Sequence, residues 1–186
     1  KLVLFMAAGV IFMNTHALDL NAIRGYGRHT PLLKVIFGTG ALVIAGVPLF
    51  GGYISKTLLH ESIVEYGGGW QMKAVEWIFL ISGGLTVAYM TKLFVAIFIE
   101  KNDQKDVQGQ FDAQKHYMNA GSTFALAGSA LVLLVWGLLP HGLMDRAAAM
   151  GQTFMGLEGT GHRVSYFSLT NLSGALISIG IGTAVY

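Results

Sequence analysis

Cysteine is absent from the 186 residues, which excludes disulfides, thiolate metal sites and cysteine-held iron–sulfur clusters within this chain. Redox chemistry in any assembly that contains it has to sit on other chains, and no cofactor or metal is expected here. Charge is scarce as well. Only 12% of the residues are Asp, Glu, Lys or Arg, against about a quarter in soluble domains, so the chain cannot cover itself with water-facing surface. The net charge of +2 comes without a basic stripe, and nucleic acid is not expected as a partner. Apolar residues make up 53% of the chain. They fall in long blocks rather than in alternating or heptad patterns, which makes a lipid bilayer the expected solvent.

The chain begins at Lys1 without a methionine, enters an apolar segment at once, and ends inside another at Tyr186. It reads as a fragment. A signal peptide over Lys1 to Ala8 is an alternative, but no short apolar region with a clean small-residue cleavage site and polar mature start follows. The first apolar block, to about Met13, is short of a full span at 1.5 Å per residue, and its start is expected upstream. Asn14 to Thr30 hold Asp19, Arg24, Arg28 and His29 and form an extramembrane loop, after which Pro31 is placed to open a helix.

From Leu32 to Leu49 the chain is apolar again, but Gly46, Pro48, Gly51 and Gly52 cluster where an uninterrupted helix would continue, which predicts a break. A second piece runs from about Tyr53 to Glu65, and Gly67, Gly68 and Gly69 end it. Together, 32–65 form one discontinuous helix. Trp70 to Ile99 is long enough to span with tilt, and Lys92 is its only central charge. The loop 100–119 carries Glu100, Lys101, Asp103, Lys105, Asp106, Asp112 and Lys115. Gly121 to Leu139 is a span, Pro140 to Arg163 is mixed and amphipathic, and Val164 to Tyr186 is a weaker span.

If each block crosses once, one side carries Arg24, Arg28, Lys34, Lys101, Lys105 and Lys115, and the other Lys73, Arg146 and Arg163. The positive-inside rule then puts loops 14–31 and 100–119 in the cytoplasm.

Lys56 is the sharpest chemical signal. An ammonium group inside a span costs roughly 2.5–3.5 kcal/mol on insertion scales and is seldom kept without use. It sits just past the break, where the amides opening the second half-helix present positive partial charge. That charge and desolvation disfavour the charged amine, so such a lysine can load and release protons. The competing reading is a side chain that snorkels to an interface. His60, one turn on, shares a face with Lys56 and can pass a proton or polarise it, and Glu61 offers a nearby counter-charge; a plain interfacial His–Glu pair is the alternative. Lys92 and Tyr89 share a helical face suited to a proton path or, more favoured, an inter-helix ion pair. Lys34, near a helix start, is expected to snorkel.

Two enzyme motifs fail. His60-Glu61-Ser62-Ile63-Val64 lacks the second histidine of a zinc-protease helix, and Gly25-Tyr26-Gly27 leads to Thr30 rather than a third glycine. Six histidines are scattered without the paired pattern of a two-haem bundle.

The stretches Lys1-Leu-Val-Leu-Phe-Met-Ala-Ala-Gly9, Ile23-Arg24-Gly25 and Gly46-Val-Pro-Leu-Phe-Gly-Gly-Tyr-Ile-Ser-Lys56 resemble the antiporter-like subunits of complex I. That family includes the large subunits of Mrp sodium/proton antiporters and of membrane-bound energy-converting hydrogenases. The likeness is strongest over about the first 65 residues, looser to about Phe98, and beyond that a matter of hydropathy alone. It implies that Lys56 takes the place of the terminal lysine of a proton half-channel, that Lys1 matches a lysine on the polar axis of the preceding helix, and that Lys92 after Tyr89 matches a basic residue of the next. Many members follow Ser-Lys with an acid, where this chain has Thr57. The His60-Glu61 feature is more like hydrogenase-linked members than respiratory quinone reductases.

The expectation is thus an all-α polytopic transmembrane bundle, the C-terminal half of an antiporter-like subunit. Residues 1–98 belong to the proton-conducting part (helices 1–15, 32–65 and 70–99), 100–119 form a loop, and 120–186 form C-terminal membrane helices. The expected function is movement of protons or sodium ions in a redox-driven complex, with other membrane subunits and a peripheral redox module as partners in a prokaryotic cytoplasmic membrane. An Mrp-type antiporter subunit and a structural subunit without an ion path are the alternatives.

Overall fold

The computed structural model describes residues 1–114, 116–156 and 165–186. Lys115 and Arg163, which entered the charge count, and the expected helix start at Val164 lie outside the described residues. Every regular element among the described residues is helical: α1 (Leu2–Thr15), α2 (Leu20–Ile23), a 3₁₀ turn (Tyr26–His29), α3 (Pro31–Ala45), α4 (Gly51–Glu65), α5 (Gly69–Phe98), α6 (Lys105–Ala113), α7 (Ala120–Leu138), a π turn (Pro140–Met144), α8 (Asp145–Phe154) and α9 (Leu169–Val185). α5 and α7 are long and apolar enough to cross a membrane; α3 and α9 are shorter apolar helices.

The described residues fall into two compact units. The first comprises Lys1–Leu42, Ala88–Leu131 and Tyr186. α1 buries Val3, Ala7, Val10 and Ile11, one helical face at steps of three and four. α3 buries Leu33, Ile36, Phe37 and Ala41 on a matching stripe. A Cβ on Gly40 would fall 2.9 Å from Leu4 Cγ, so the missing side chain lets α1 and α3 approach closely. Phe37, Phe94 and Phe98 form a ring cluster, with Phe98 centred 5.2 Å from Phe37 and 5.3 Å from Phe94.

Loop 14–31 closes the C-terminal end of α5, whose last carbonyls have no partner within the helix. Gly25 N donates to Ala96 O at 2.9 Å, Arg28 Nη1 to Ile99 O at 2.8 Å, and Lys34 Nζ to Phe98 O at 3.4 Å. Lys34 was expected to snorkel. Its amine lies on that carbonyl, because the open end of a helix supplies acceptors and a negative partial charge nearby. Asn102 Nδ2 donates to the carbonyls of Asn21, Ala22 and Arg24, and Arg24 lies 3.3 Å from Glu100. The two loops are therefore bound to each other. Loop 100–119 also carries a helix that its charge hid, α6.

The second unit comprises Val43–Val87 and Val132–Val185. The break falls where the sequence indicates, but it is shorter: residues 46–50 are non-helical, while Gly51 and Gly52 already lie in the first turn of α4. Gly46, at φ +77°, and Leu49, at φ +76°, both take left-handed backbone. For leucine this is a strained state costing of order 1–3 kcal/mol, kept only where the surroundings impose it. A Cβ on Gly137 of α7 would fall 2.3 Å from Leu49 O and 2.5 Å from Phe50 Cα, so the irregular segment lies directly on a helix backbone. A Cβ on Gly52 would sit 1.8 Å from Val43 O, so the start of α4 lies against the end of α3.

α5 and α9 meet through small residues. A Cβ on Gly84 would fall 2.6 Å from Ile181 Cγ2, and one on Gly182 would fall 2.5 Å from Val87 Cβ. Ser178 Oγ donates to Leu80 O at 3.0 Å. Close backbone approach and interhelical hydrogen bonds take the place of the hydrophobic drive that lipid does not provide.

Gly52→Ala is expected to destabilise the chain by about 1–3 kcal/mol, because the obstacle is backbone and cannot turn away. Gly180, which has nothing within 4 Å of its added Cβ, is the control: Gly180→Ala is expected to be neutral or to stabilise by up to about 1 kcal/mol through helix propensity. Thermal unfolding of the detergent-solubilised subunit measures both.

Candidate functional site at the broken helix

Lys56 is the sixth residue of α4. Helical side chains lean toward the N-terminus, and this one reaches back over the break. Its Nζ donates to Ala45 O at 3.0 Å, the carbonyl of the last residue of α3. A Cβ on Gly46 would fall 2.5 Å from Lys56 Cδ and 3.2 Å from Nζ. Glycine is thus demanded at position 46 twice, by its left-handed backbone and by the lysine lying across it. Charge at the amine also differs from the expectation. The sequence pointed to the positive amide end of α4, whereas the amine rests on the negative carbonyl end of α3, because the side chain spans the distance between the two half-helices.

A cavity with about 110 Å³ open to the centres of water molecules adjoins the amine, space for several waters. Its polar wall includes Lys56, Thr57, His60, Thr86, Asn171 and Ser178. His60 is buried, and its Nε2 lies 3.1 Å from Glu76 Oε1. The imidazole stacks on Phe79 with centroids 6.0 Å apart and planes at 16°. A Cβ on Gly174 would sit 3.1 Å from His60 Cε1, so α9 makes room for the ring. Glu61 is turned elsewhere: its Oε2 accepts from Asn171 Nδ2 at 3.5 Å.

Lys56 and His60 therefore line one cavity, and Glu61 borders it through Asn171. Lys92 and Tyr89 are exposed and do not line it, and among the described residues Lys92 makes no ion pair. Lys1 is exposed at the first residue. Sequence reasoning missed Glu76, Asn171 and the Ala45 carbonyl. Glu76 stands three residues from Lys73 near the start of its block, where a charge reads as interfacial, and only the approach of α4 shows its use.

Behind the cavity a set of polar bonds ties the unit together. Tyr53 Oη donates to Tyr166 O at 2.6 Å, Tyr166 Oη donates to Asp145 Oδ1 at 2.5 Å, and His141 Nδ1 lies 3.1 Å from Asp145 Oδ2. Tyr166 precedes α9, outside the spanning helices. Burial first, then the bond to Asp145 and the charges of Asp145 and Glu61, push its hydroxyl well above the usual tyrosine range. Asp145→Asn is expected to bring that ionisation down, as a ultraviolet difference titration would show. Tyr166→Phe is expected to cost about 1 kcal/mol of stability, the net worth of a hydrogen bond whose acceptor can regain water.

Residues 1–86 match the family described as NADH:quinone oxidoreductase/Mrp antiporter, TM. The chain is 29% identical over 132 residues to the NADH-quinone oxidoreductase subunit N of Rhodococcus opacus, covering 70% of this chain and 22% of that protein. It is 32% identical over 172 residues to an uncharacterized protein of Mycobacterium tuberculosis, covering 87% and 26%. It is 25% identical over 115 residues to a putative antiporter subunit of Staphylococcus haemolyticus, covering 62% and 14%. The chain thus spans about a quarter or less of these relatives. An alignment over 172 residues necessarily passes Phe98, so the likeness extends further than hydropathy alone. The matched family, its relatives and the apolar spanning helices make this an integral membrane protein, whose residues 1–86 match the NADH:quinone oxidoreductase/Mrp antiporter transmembrane family.

Proposed function

We propose that this chain is part of a proton-translocating membrane subunit of a redox-driven ion-pumping complex, and that Lys56 is the group that loads and releases the proton. The observation that carries the reading is the amine itself. It is half-buried in α4, held by an open carbonyl at the end of α3, and adjoins a cavity with room for water. Two opposed influences act there: desolvation favours the neutral amine and the carbonyl end of α3 favours the charged one. The segment 46–50 follows directly on that carbonyl and carries a strained leucine, so a small rearrangement of it changes which influence prevails. A partner's redox reaction drives that rearrangement through neighbouring membrane subunits. Loops 14–31 and 100–119 face the cytoplasm of a prokaryotic membrane in this reading. Relatives named as NADH-quinone oxidoreductase and antiporter subunits support it.

The test is proton uptake into inverted membrane vesicles driven by the partner's redox reaction, at equal amounts of assembled complex. Lys56→Ala is expected to reduce uptake at least about tenfold, with assembly retained because alanine is a good helix former. Lys56→Arg is expected to be as impaired, because guanidinium stays charged at physiological pH. An arginine variant that pumps like wild type would exclude a lysine that loads and releases protons and leave only a fixed charge.

A further inference from the structure

His60 and Glu76 stand outside the Lys56–Ala45 contact, and both lie nearer than Lys56 to the turn between α4 and α5. Counting along α4 at 1.5 Å per residue, Lys56 lies about 13 Å and His60 about 7 Å from the end of the helix at Glu65. Counting from the start of α5, Glu76 lies about 10 Å from Gly69. The imidazole is therefore one turn nearer than Lys56 to the turn at 66–68, and its Nε2 touches a carboxylate at 3.1 Å. The two partners differ in exposure. The His60 side chain is 7% exposed and that of Glu76 32%, so the pair runs from a buried imidazole on the cavity wall to a more exposed carboxylate. Phe79 and Gly174 hold the ring in place.

We propose that His60 and Glu76 form the outlet that carries the proton released by Lys56 to the membrane face at the α4–α5 turn. This rests on the proposed role of Lys56 and adds the route and the direction. Each step balances as a proton transfer. The Lys56 ammonium gives its proton to cavity water, and His60 Nδ1 takes one from that water. The N–H bond at Nε2 breaks as an O–H bond forms on Glu76 Oε1, and Glu76 then releases the proton to water that reaches it from the side of the α4–α5 turn. An imidazole suits the middle position because it accepts on one ring nitrogen while releasing from the other. Proton exchange with cavity water returns the ring to its starting tautomer.

A purely structural carboxylate would hold His60 equally well as an amide, which sets the decisive variant. Glu76→Gln keeps the size and an acceptor for the imidazole but cannot take up a proton. In the complete complex in inverted vesicles, Glu76→Gln and His60→Gln are each expected to lower redox-driven proton uptake at least about tenfold, while Glu76→Asp retains most of it. An infrared difference spectrum of the working complex should show a carboxylic acid C=O band that Glu76→Gln removes. If Glu76→Gln pumps like wild type while Lys56→Ala does not, the outlet is overturned and the role of Lys56 stands. If Lys56→Ala pumps like wild type, both fall. Should Glu76→Gln fail to assemble, His60→Gln decides, and wild-type uptake by that variant overturns the proposal.

Discussion

A helix interrupted inside an apolar bundle leaves carbonyls without partners, and the second unit is organised around that problem. α3 stops at Ala45 and α4 starts at Gly51, so the last carbonyls of α3 must find donors in surroundings where water is scarce. Gly46 N returns to Val43 O, and the Lys56 amine takes Ala45 O. The same bond answers two needs, because a buried ammonium also requires an acceptor. The break and the lysine are thus mutually dependent: remove the break and the amine loses its carbonyl; remove the amine and a helix end loses a donor.

Glycine makes this arrangement possible at a few contacts rather than through general flexibility. Gly46 admits the lysine side chain, Gly52 admits the end of α3, Gly137 admits the irregular backbone and Gly174 admits the imidazole. Each replaces a side chain by close approach of another group, which is the means by which helices pack when lipid competes equally for apolar surface. Irregular backbone is tolerated because it lies on protein and beside a cavity rather than in hydrocarbon.

The first unit handles the same physical problem at a helix end. The carbonyls closing α5 accept from Gly25, Arg28 and Lys34, so the basic residues counted as a topological signal also act as caps. Burial of Tyr26 beneath Phe111, with rings in edge contact at 5.3 Å, lifts its hydroxyl to about 12 and marks how dry this loop packing is. Loops 14–31 and 100–119 hold each other in place through hydrogen bonds and an ion pair.

Composition and local pattern by themselves determined the class of this protein. Long apolar blocks specify helices in lipid, and the Gly46-Val47-Pro48 cluster specifies a break, because both signals act through the backbone of neighbouring residues. Lys56 was legible for the same reason: a charge in an apolar block stands out without any knowledge of its neighbours. What Lys56 touches was not legible. The choice between the amide end of α4 and the carbonyl end of α3 depends on how the link folds back, and Glu76 joins His60 only because α5 packs against α4. Those pairings link residues 11 and 16 positions apart across a turn or a break, a separation at which no helical period relates one residue to the other. Asn171, 110 positions from Glu61, is further still. Tertiary packing alone decided which polar groups share the cavity, since each contact depends on the close approach of two helix backbones.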